Sequence, residues 1–105
     1  MNSFKTRILE IVKQIPLGRV TTYKQIAIAL KNPNASRAVG NALNKNPIPI
    51  KIPCHRVVKS TGDIGGYVFG NKKKEILLKK EGINIKNGRI VNINNLNYKY
   101  REQQI

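Results

Sequence analysis

Cys54 and His55 are the one cysteine and the one histidine of the sequence, and they are adjacent. A free thiol with a pKa near ~8.5 is only slightly ionised at neutral pH, so Cys54 needs a base or a cation beside it to act as a nucleophile. His55 can be the base, and Arg56 brings positive charge. Adjacent side chains seldom face each other, so a bridging water or a bent backbone has to join sulfur and imidazole. A carboxylate behind the ring would orient it and stabilise its charged form, and Glu81 is a candidate. The segment Ile52 to Val57 is equally compatible with an inert buried cysteine.

The last helix offers a second signal. Lys72, Lys73 and Lys74 stand at its start and Glu81 at its end, each opposed to the helix dipole at a cost of about a few tenths of a kcal/mol. The lysines fit a phosphate partner, and Glu81 fits a cation or an imidazole. Exposed charges at helix ends are also tolerated without any function.

These residues need elements to position them. Phe4, Ile8, Ile11, Val12 and Ile15 share one helical face, which predicts a helix capped by Ser3 and stopped by Pro16-Leu17-Gly18. Thr22-Tyr23-Lys24-Gln25 reads as a capping box opening a second helix with Ile26, Ala27 and Leu30 inward. Lys31-Asn32-Pro33 ends it. Asn34 is the expected cap of a third helix that turns Ala38, Val39, Ala42 and Leu43 inward and ends near Asn44 to Asn46. The pair forms a helix-turn-helix pattern, and the third helix is lean, with Ala35, Ser36, Ala38, Gly40, Asn41 and Ala42. Pro47 and Pro49 predict an extended stretch through Ile52. Val57-Val58 and Tyr67-Val68 read as short strands around a turn at 60–66. A helix from Asn71 to Glu81 closes at Gly82, and Ile83 to Ile93 alternates around Asn87-Gly88 as a hairpin. The predicted fold is mainly α, a winged-helix-like helix-turn-helix domain with a small β component. It occupies residues 1–93, with a polar tail at 94–105.

Twenty Lys and Arg against five Asp and Glu give a net charge of +15. That excess suits a polyanion, whose counterions are released on binding. A lysine-rich genome explains the same composition. One cysteine excludes an internal disulfide, and two soft ligands are too few for structural zinc, so no metal is expected. Met1 to Lys5 lacks a signal-peptide core and no run approaches a membrane span. The expectation is a soluble cytoplasmic protein, nucleoid-associated in a prokaryote, monomeric, with no membrane partner.

Pro53-Cys54-His55-Arg56-Val57 resembles the active-site signature of the O6-alkylguanine-DNA alkyltransferases, or methylated-DNA–protein-cysteine methyltransferases. The resemblance is to their C-terminal catalytic and DNA-binding domain alone. It runs in order from Gly18 to Gly82, through Thr22-Tyr23, Ser36-Arg37-Ala38-Val39-Gly40, Asn46-Pro47-Ile48-Pro49-Ile50, Gly66-Tyr67 and Leu77-Leu78-Lys79-Lys80-Glu81-Gly82.

The resemblance implies binding to duplex DNA containing O6-alkylguanine from the minor-groove side, where a lean helix fits. It implies flipping of the nucleotide, then irreversible, single-turnover transfer of the alkyl group to Cys54 without a cofactor. By the match, Cys54 is the acceptor, His55 a water-mediated base, Glu81 its orienter and Arg56 a structural support. Asn46 resembles a hinge residue. Tyr23 resembles the tyrosine that rotates the phosphate and donates toward guanine N3, and Arg37 the arginine that fills the vacated stack. Ser36, Ala38, Asn41, Lys72 and Lys73 join Arg37 and Tyr23 as DNA contacts. Val57, through its carbonyl, Tyr67, Val68, through its amide, and Leu43 form the base pocket. Tyr67-Val68-Phe69-Gly70 departs from the family pattern, where serine or small residues are common after the tyrosine. Rival readings are a non-enzymatic alkyltransferase-like lesion binder, which lacks the reactive cysteine, a winged-helix regulator, and a basic RNA-binding domain.

Overall fold

Apolar residues three and four apart wind the N-terminal segment into α1 (Phe4–Val12), with Ile8, Ile11 and Val12 buried. The computed structural model describes residues 4–93, so the Ser3 cap and the polar tail lie outside the described residues. α1 is shorter than the apolar pattern suggested. Its last apolar residue, Ile15, is still buried, because Ile15 N–H donates to Val12 O and tightens the chain into a turn.

β1 (Thr21–Thr22) runs straight into α2 (Tyr23–Ala29). The hydroxyl of Thr22 accepts from Gln25 N–H at 3.0 Å, which is half of the expected capping box. The other half is absent: Gln25 Oε1 instead accepts from the Thr21 hydroxyl at 3.2 Å. α3 (Ser36–Leu43) follows, packed against α1 and α2. Its cap is Ala35, without a side-chain hydrogen bond, rather than Asn34. Val39, Ala42 and Leu43 face the core, while Ala38 is exposed, contrary to the inward assignment. One residue turns a helix by about 100°, which carries Ala38 off the face centred on Val39 and Leu43.

The two prolines do not extend the next segment. Ile52 N–H donates to Ile48 O at 3.0 Å, and Ile50 takes φ +78°. A β-branched residue in that region stores about 1–3 kcal/mol of strain, held here by the Asn46 clamp described below. A 3-10 turn at Cys54–Arg56 leads to β2 (Val57–Val58), which pairs in parallel with β1, Thr21 opposite Val57. This ladder fixes the exit of the cysteine turn to the entry of α2. Tyr67-Val68 is not a strand. Val68 lies in a turn closed by Gly70 N–H donating to Tyr67 O at 2.9 Å, so these residues have no ladder partner among the described residues.

α4 (Asn71–Lys80) is followed by a hairpin, β3 (Ile85–Lys86) and β4 (Arg89–Ile90), antiparallel around Asn87 and Gly88 with φ +54° and +75°. Two apolar clusters result. The first joins the three N-terminal helices to Ile52, Cys54, Val57 and Tyr67. The second joins Val20, Val58, Ile64 and Leu78 to Ile83 and Ile90 of the hairpin region. The fold is the mainly helical one expected, with a small β component. Among the described residues no helix is long and apolar enough to cross a membrane.

Candidate active site

Asn46, buried just beyond α3, clamps the turn that leads to the cysteine. Its Nδ2 donates to Ile52 O at 2.8 Å and its Oδ1 accepts from Ile48 N–H at 3.0 Å. Both halves of the amide are satisfied by backbone six residues or fewer away, so this side chain links the end of α3 to the cysteine turn. Cys54 sits at the head of the 3-10 turn with 5% of its surface exposed. Burial pushes its thiol pKa up, against opposing pulls from Asn46 and the Lys74 charge. The resting sulfur is therefore protonated at neutral pH, and the site does not hold a standing thiolate.

The 3-10 turn supplies the bent backbone that adjacency demanded. It sends His55 inward, where Nε2 lies 2.8 Å from Glu81 Oε2. That hydrogen bond places the ring proton on Nε2 and leaves Nδ1 with a lone pair. Nδ1 is buried and has no hydrogen-bond partner among the described residues. Burial lowers the His55 pKa more than the Glu81 hydrogen bond raises it, so the ring rests neutral. Arg56 points to the same carboxylate. Its Nε donates to Oε1 and its Nη2 to Oε2, both at 2.9 Å, and its Nη1 donates to Ile15 O at 2.8 Å. Burial alone would raise the Glu81 pKa, but hydrogen bonds from Arg56 and His55 hold it below the ordinary carboxylate range. The misplaced charge at the end of α4 is thus the anchor of the imidazole and the guanidinium.

Lys74 was not singled out for the site from sequence, and its fit to phosphate is corrected by the structure. It is fully buried rather than turned to solvent. Its Nζ donates to Val57 O at 2.6 Å, Gly66 O at 3.0 Å and the Tyr23 hydroxyl at 3.4 Å. Burial lowers its pKa to about 7. The sequence signal that could have found it is the helix period: Lys74 lies four residues before Leu78, on the core face. Tyr23 and Tyr67 are both pushed up to about 12, chiefly by burial. Gly65, at φ +76°, lets the backbone pass Tyr23, since a Cβ there would lie 3.3 Å from the phenol oxygen.

The expected DNA contacts divide. Tyr23, Ser36, Arg37 and Asn41 line one cavity of about 610 Å³, together with Gly40 and the loop Lys59 to Thr61. Arg37, Asn41, Ala38, Lys72 and Lys73 are exposed, and Ala38, Lys72 and Lys73 do not line that cavity. The expected base pocket is less open. Cys54, Tyr67, Val57 and Leu43 lie in one buried cluster, and Val68 is on the surface. The Val57 carbonyl is already engaged by Lys74, with one lone pair remaining. Lys74 thus ties Val57, beside the cysteine turn, to Tyr23 and Gly66 on the cavity wall. Tyr67 stacks edge-on between His55, at 6.3 Å, and Phe69, at 5.6 Å.

A lean helix, α3, beside a cavity, together with a buried cysteine and an oriented imidazole, defines a helix-turn-helix domain with a built-in thiol site. Residues 3–83 match the family model for the DNA-binding domain of 6-O-methylguanine DNA methyltransferase, and the chain belongs to that family. A methylated-DNA–protein-cysteine methyltransferase of Methanosarcina acetivorans is 49% identical over 79 residues, 75% of this chain and 51% of that protein. Mycobacterium tuberculosis OGT in complex with DNA superposes with a TM-score of 0.74 at 39% identity, over 78% of this chain and 50% of that one. S. pombe Atl1, in complex with damaged DNA containing O6-carboxymethylguanine, superposes with a TM-score of 0.82 at 28% identity, over 95% of this chain and 100% of that one. The chain therefore spans about half the length of the first of these relatives.

Proposed function

We propose that the chain repairs O6-alkylguanine in duplex DNA by moving the alkyl group irreversibly onto Cys54. The observation that carries this reading is the buried, unpartnered Nδ1 of His55, with Nε2 tied to Glu81, on the residue next to the thiol. An imidazole so held can take a proton through a water and cannot easily rotate away.

The duplex docks by its minor groove on α3, with Arg37, Ser36, Ala38 and Asn41 nearest and Lys72 and Lys73 adding charge. Arg37 fills the stack after the nucleotide is flipped, and Tyr23 turns the phosphate. Tyr67 and Leu43 wall the base, the second lone pair of the Val57 carbonyl meets the guanine amino group, and the Val68 amide meets O6. Reaching Cys54 requires part of the cluster packed around it, Tyr67 included, to give way, because the sulfur is nearly sealed. His55 then accepts the thiol proton, sulfur forms a bond to the alkyl carbon, and the bond from that carbon to O6 breaks with its electron pair going to guanine. Tyr23 donates a proton toward N3, and Lys74, hydrogen-bonded to the phenol and with a pKa about 7, can restore it. The proton that His55 took from sulfur leaves to solvent as Lys74 is reprotonated, so the sum is one proton moved from sulfur to guanine. Asn46 and Arg56 hold the turn and the carboxylate. The thioether is not reversed by thiol exchange, so each molecule acts once. No cofactor enters the reaction.

The overlap with Atl1 favours a second reading, lesion binding without transfer. One experiment separates the two. Duplex DNA carrying isotopically labelled O6-methylguanine should leave a single methyl on the Cys54 peptide by mass spectrometry. Cys54→Ala should bind the same duplex and take up none. Label on the Ala variant, or none on the wild type, refutes alkyl transfer to this sulfur.

A further inference from the structure

Lys59, Ser60 and Thr61 line the cavity together with α3, so they form a second wall of the groove. They belong to a tight turn in which Lys59 N–H donates to Asp63 O and Gly62 N–H to Lys59 O, both at 2.9 Å. The hairpin holds this turn from outside the groove. Ile90 N–H donates to Gly62 O at 2.8 Å and Ile64 N–H to Gly88 O at 3.1 Å. Arg89 and Asp63 pair as an antiparallel bridge. The Arg89 side chain adds a fork: Nε lies 3.3 Å from Asp63 Oδ1, and Nη2 donates to Thr61 O at 3.0 Å. Asp63 Oδ2 accepts in turn from the Thr61 hydroxyl at 3.0 Å. One guanidinium thus fixes the carbonyl of a groove residue and the carboxylate that fixes its hydroxyl.

The hairpin lies beyond residue 83, where the family match ends, whereas the superposition on Atl1 covers 95% of the chain. We infer that the hairpin is a positioning device for the second wall of the DNA groove, with Asp63 and Arg89 as its positioning residues. This rests on reading the groove as the duplex-binding surface.

Charge and clamp predict opposite signs at Asp63. A carboxylate close to the groove repels phosphate, so on charge alone Asp63→Asn should tighten DNA binding. If the carboxylate sets the turn, its loss weakens binding despite the added positive charge. Asp63 and Arg89 are each about half exposed, at 48% and 59%, so neither substitution opens the core. The experiment compares wild type, Asp63→Asn and Arg89→Lys in affinity for a duplex bearing O6-methylguanine. It also follows methylation of Cys54 by the free O6-methylguanine base, which needs no groove.

Both variants should lose about threefold in duplex affinity, the scale of an exposed ion pair, with the free-base reaction unchanged. Equal or tighter duplex binding by Asp63→Asn overturns the clamp. So does a parallel fall in the free-base reaction, which would mark a general loosening. Wild-type protein indifferent to duplex DNA overturns the groove reading itself and the clamp with it.

Discussion

Three hydrogen bonds converge on the two carboxylate oxygens of Glu81, one from His55 and two from Arg56. Glu81→Gln keeps the shape and removes the charge, and one of its two heavy atoms becomes an N–H₂ facing a donor. Removing one partner of a buried pair costs about 3–5 kcal/mol. Glu81 and Arg56 keep 12% and 14% exposure, and the remaining amide oxygen still accepts. The lower end, about 3 kcal/mol, therefore applies. For a domain of this size that is a fall in Tm of about 12–24 °C. The kinetic effect has a separate origin. Without the carboxylate His55 loses the partner that fixes its Nε2 proton and raises its pKa. A general base contributes about 10²–10⁴ in rate, so single-turnover methyl transfer should fall by at least about 100-fold. The assay is rapid-quench transfer from an O6-methylguanine duplex at a temperature where calorimetry shows the variant still folded. A variant that melts within about 5 °C of wild type and reacts within about threefold of it would refute the role assigned to this carboxylate.

Lys74→Met tests the buried ammonium through pH. The native pKa of Lys74 is lowered to about 7 from 10.5, so between those values the unfolded chain binds more protons than the native one, and native stability rises with pH. Wild type should gain Tm relative to Lys74→Met as pH climbs from 7 to 10, and a difference that stays flat would show that Lys74 titrates normally. Arg37→Ala leaves the thiol site intact and removes the exposed group expected to fill the stack. Methyl transfer from duplex DNA should slow more than tenfold, about the scale of the unstacking energy involved, while Cys54 alkylation by the free base is unchanged. Equal duplex rates would remove Arg37 from nucleotide extrusion.

The helical frame was legible because each helix announces itself through local periodicity: Ile8, Ile11 and Val12 for α1, Ile26 and Ala27 for α2, Val39, Ala42 and Leu43 for α3. The hairpin was legible because Asn87-Gly88 encodes its own turn. What failed depended on distant partners. Two prolines suggested extension at Pro47 to Ile52, but the Asn46 amide bends that segment by bonding both its ends. Tyr67-Val68 has β-forming residues and, among the described residues, no neighbouring strand to pair with. Glu81 could be suspected from its conflict with the helix dipole. Lys74 could not be separated from Lys72 and Lys73 by charge, because the carbonyls that hold it come from residues 57 and 66. The depth of Cys54 was also hidden, since burial is a property of the assembled core.

That depth constrains how the proposed alkyl transfer can run. At neutral pH Cys54 rests as a thiol, His55 as a neutral ring and Tyr23 as a phenol, each driven to its uncharged form by burial. The charges that remain fixed are those of Arg56 and Glu81, which neutralise each other, while Lys74, with its pKa lowered to about 7, is only partly protonated. Alkyl transfer from O6 to sulfur converts a neutral thiol and a neutral base into a neutral thioether and neutral guanine, with one proton passing from sulfur to the base. Such a reaction asks for no lasting charge in a dry site, only for groups that can relay a proton while the alkyl bond changes hands. A standing thiolate would be costly to bury and open to any small electrophile that reached it. In the proposed reaction a guanine base, extruded or free, has to displace packing around the buried thiol before it meets sulfur, so the burial that raises the cysteine pKa also shields the sulfur from other electrophiles.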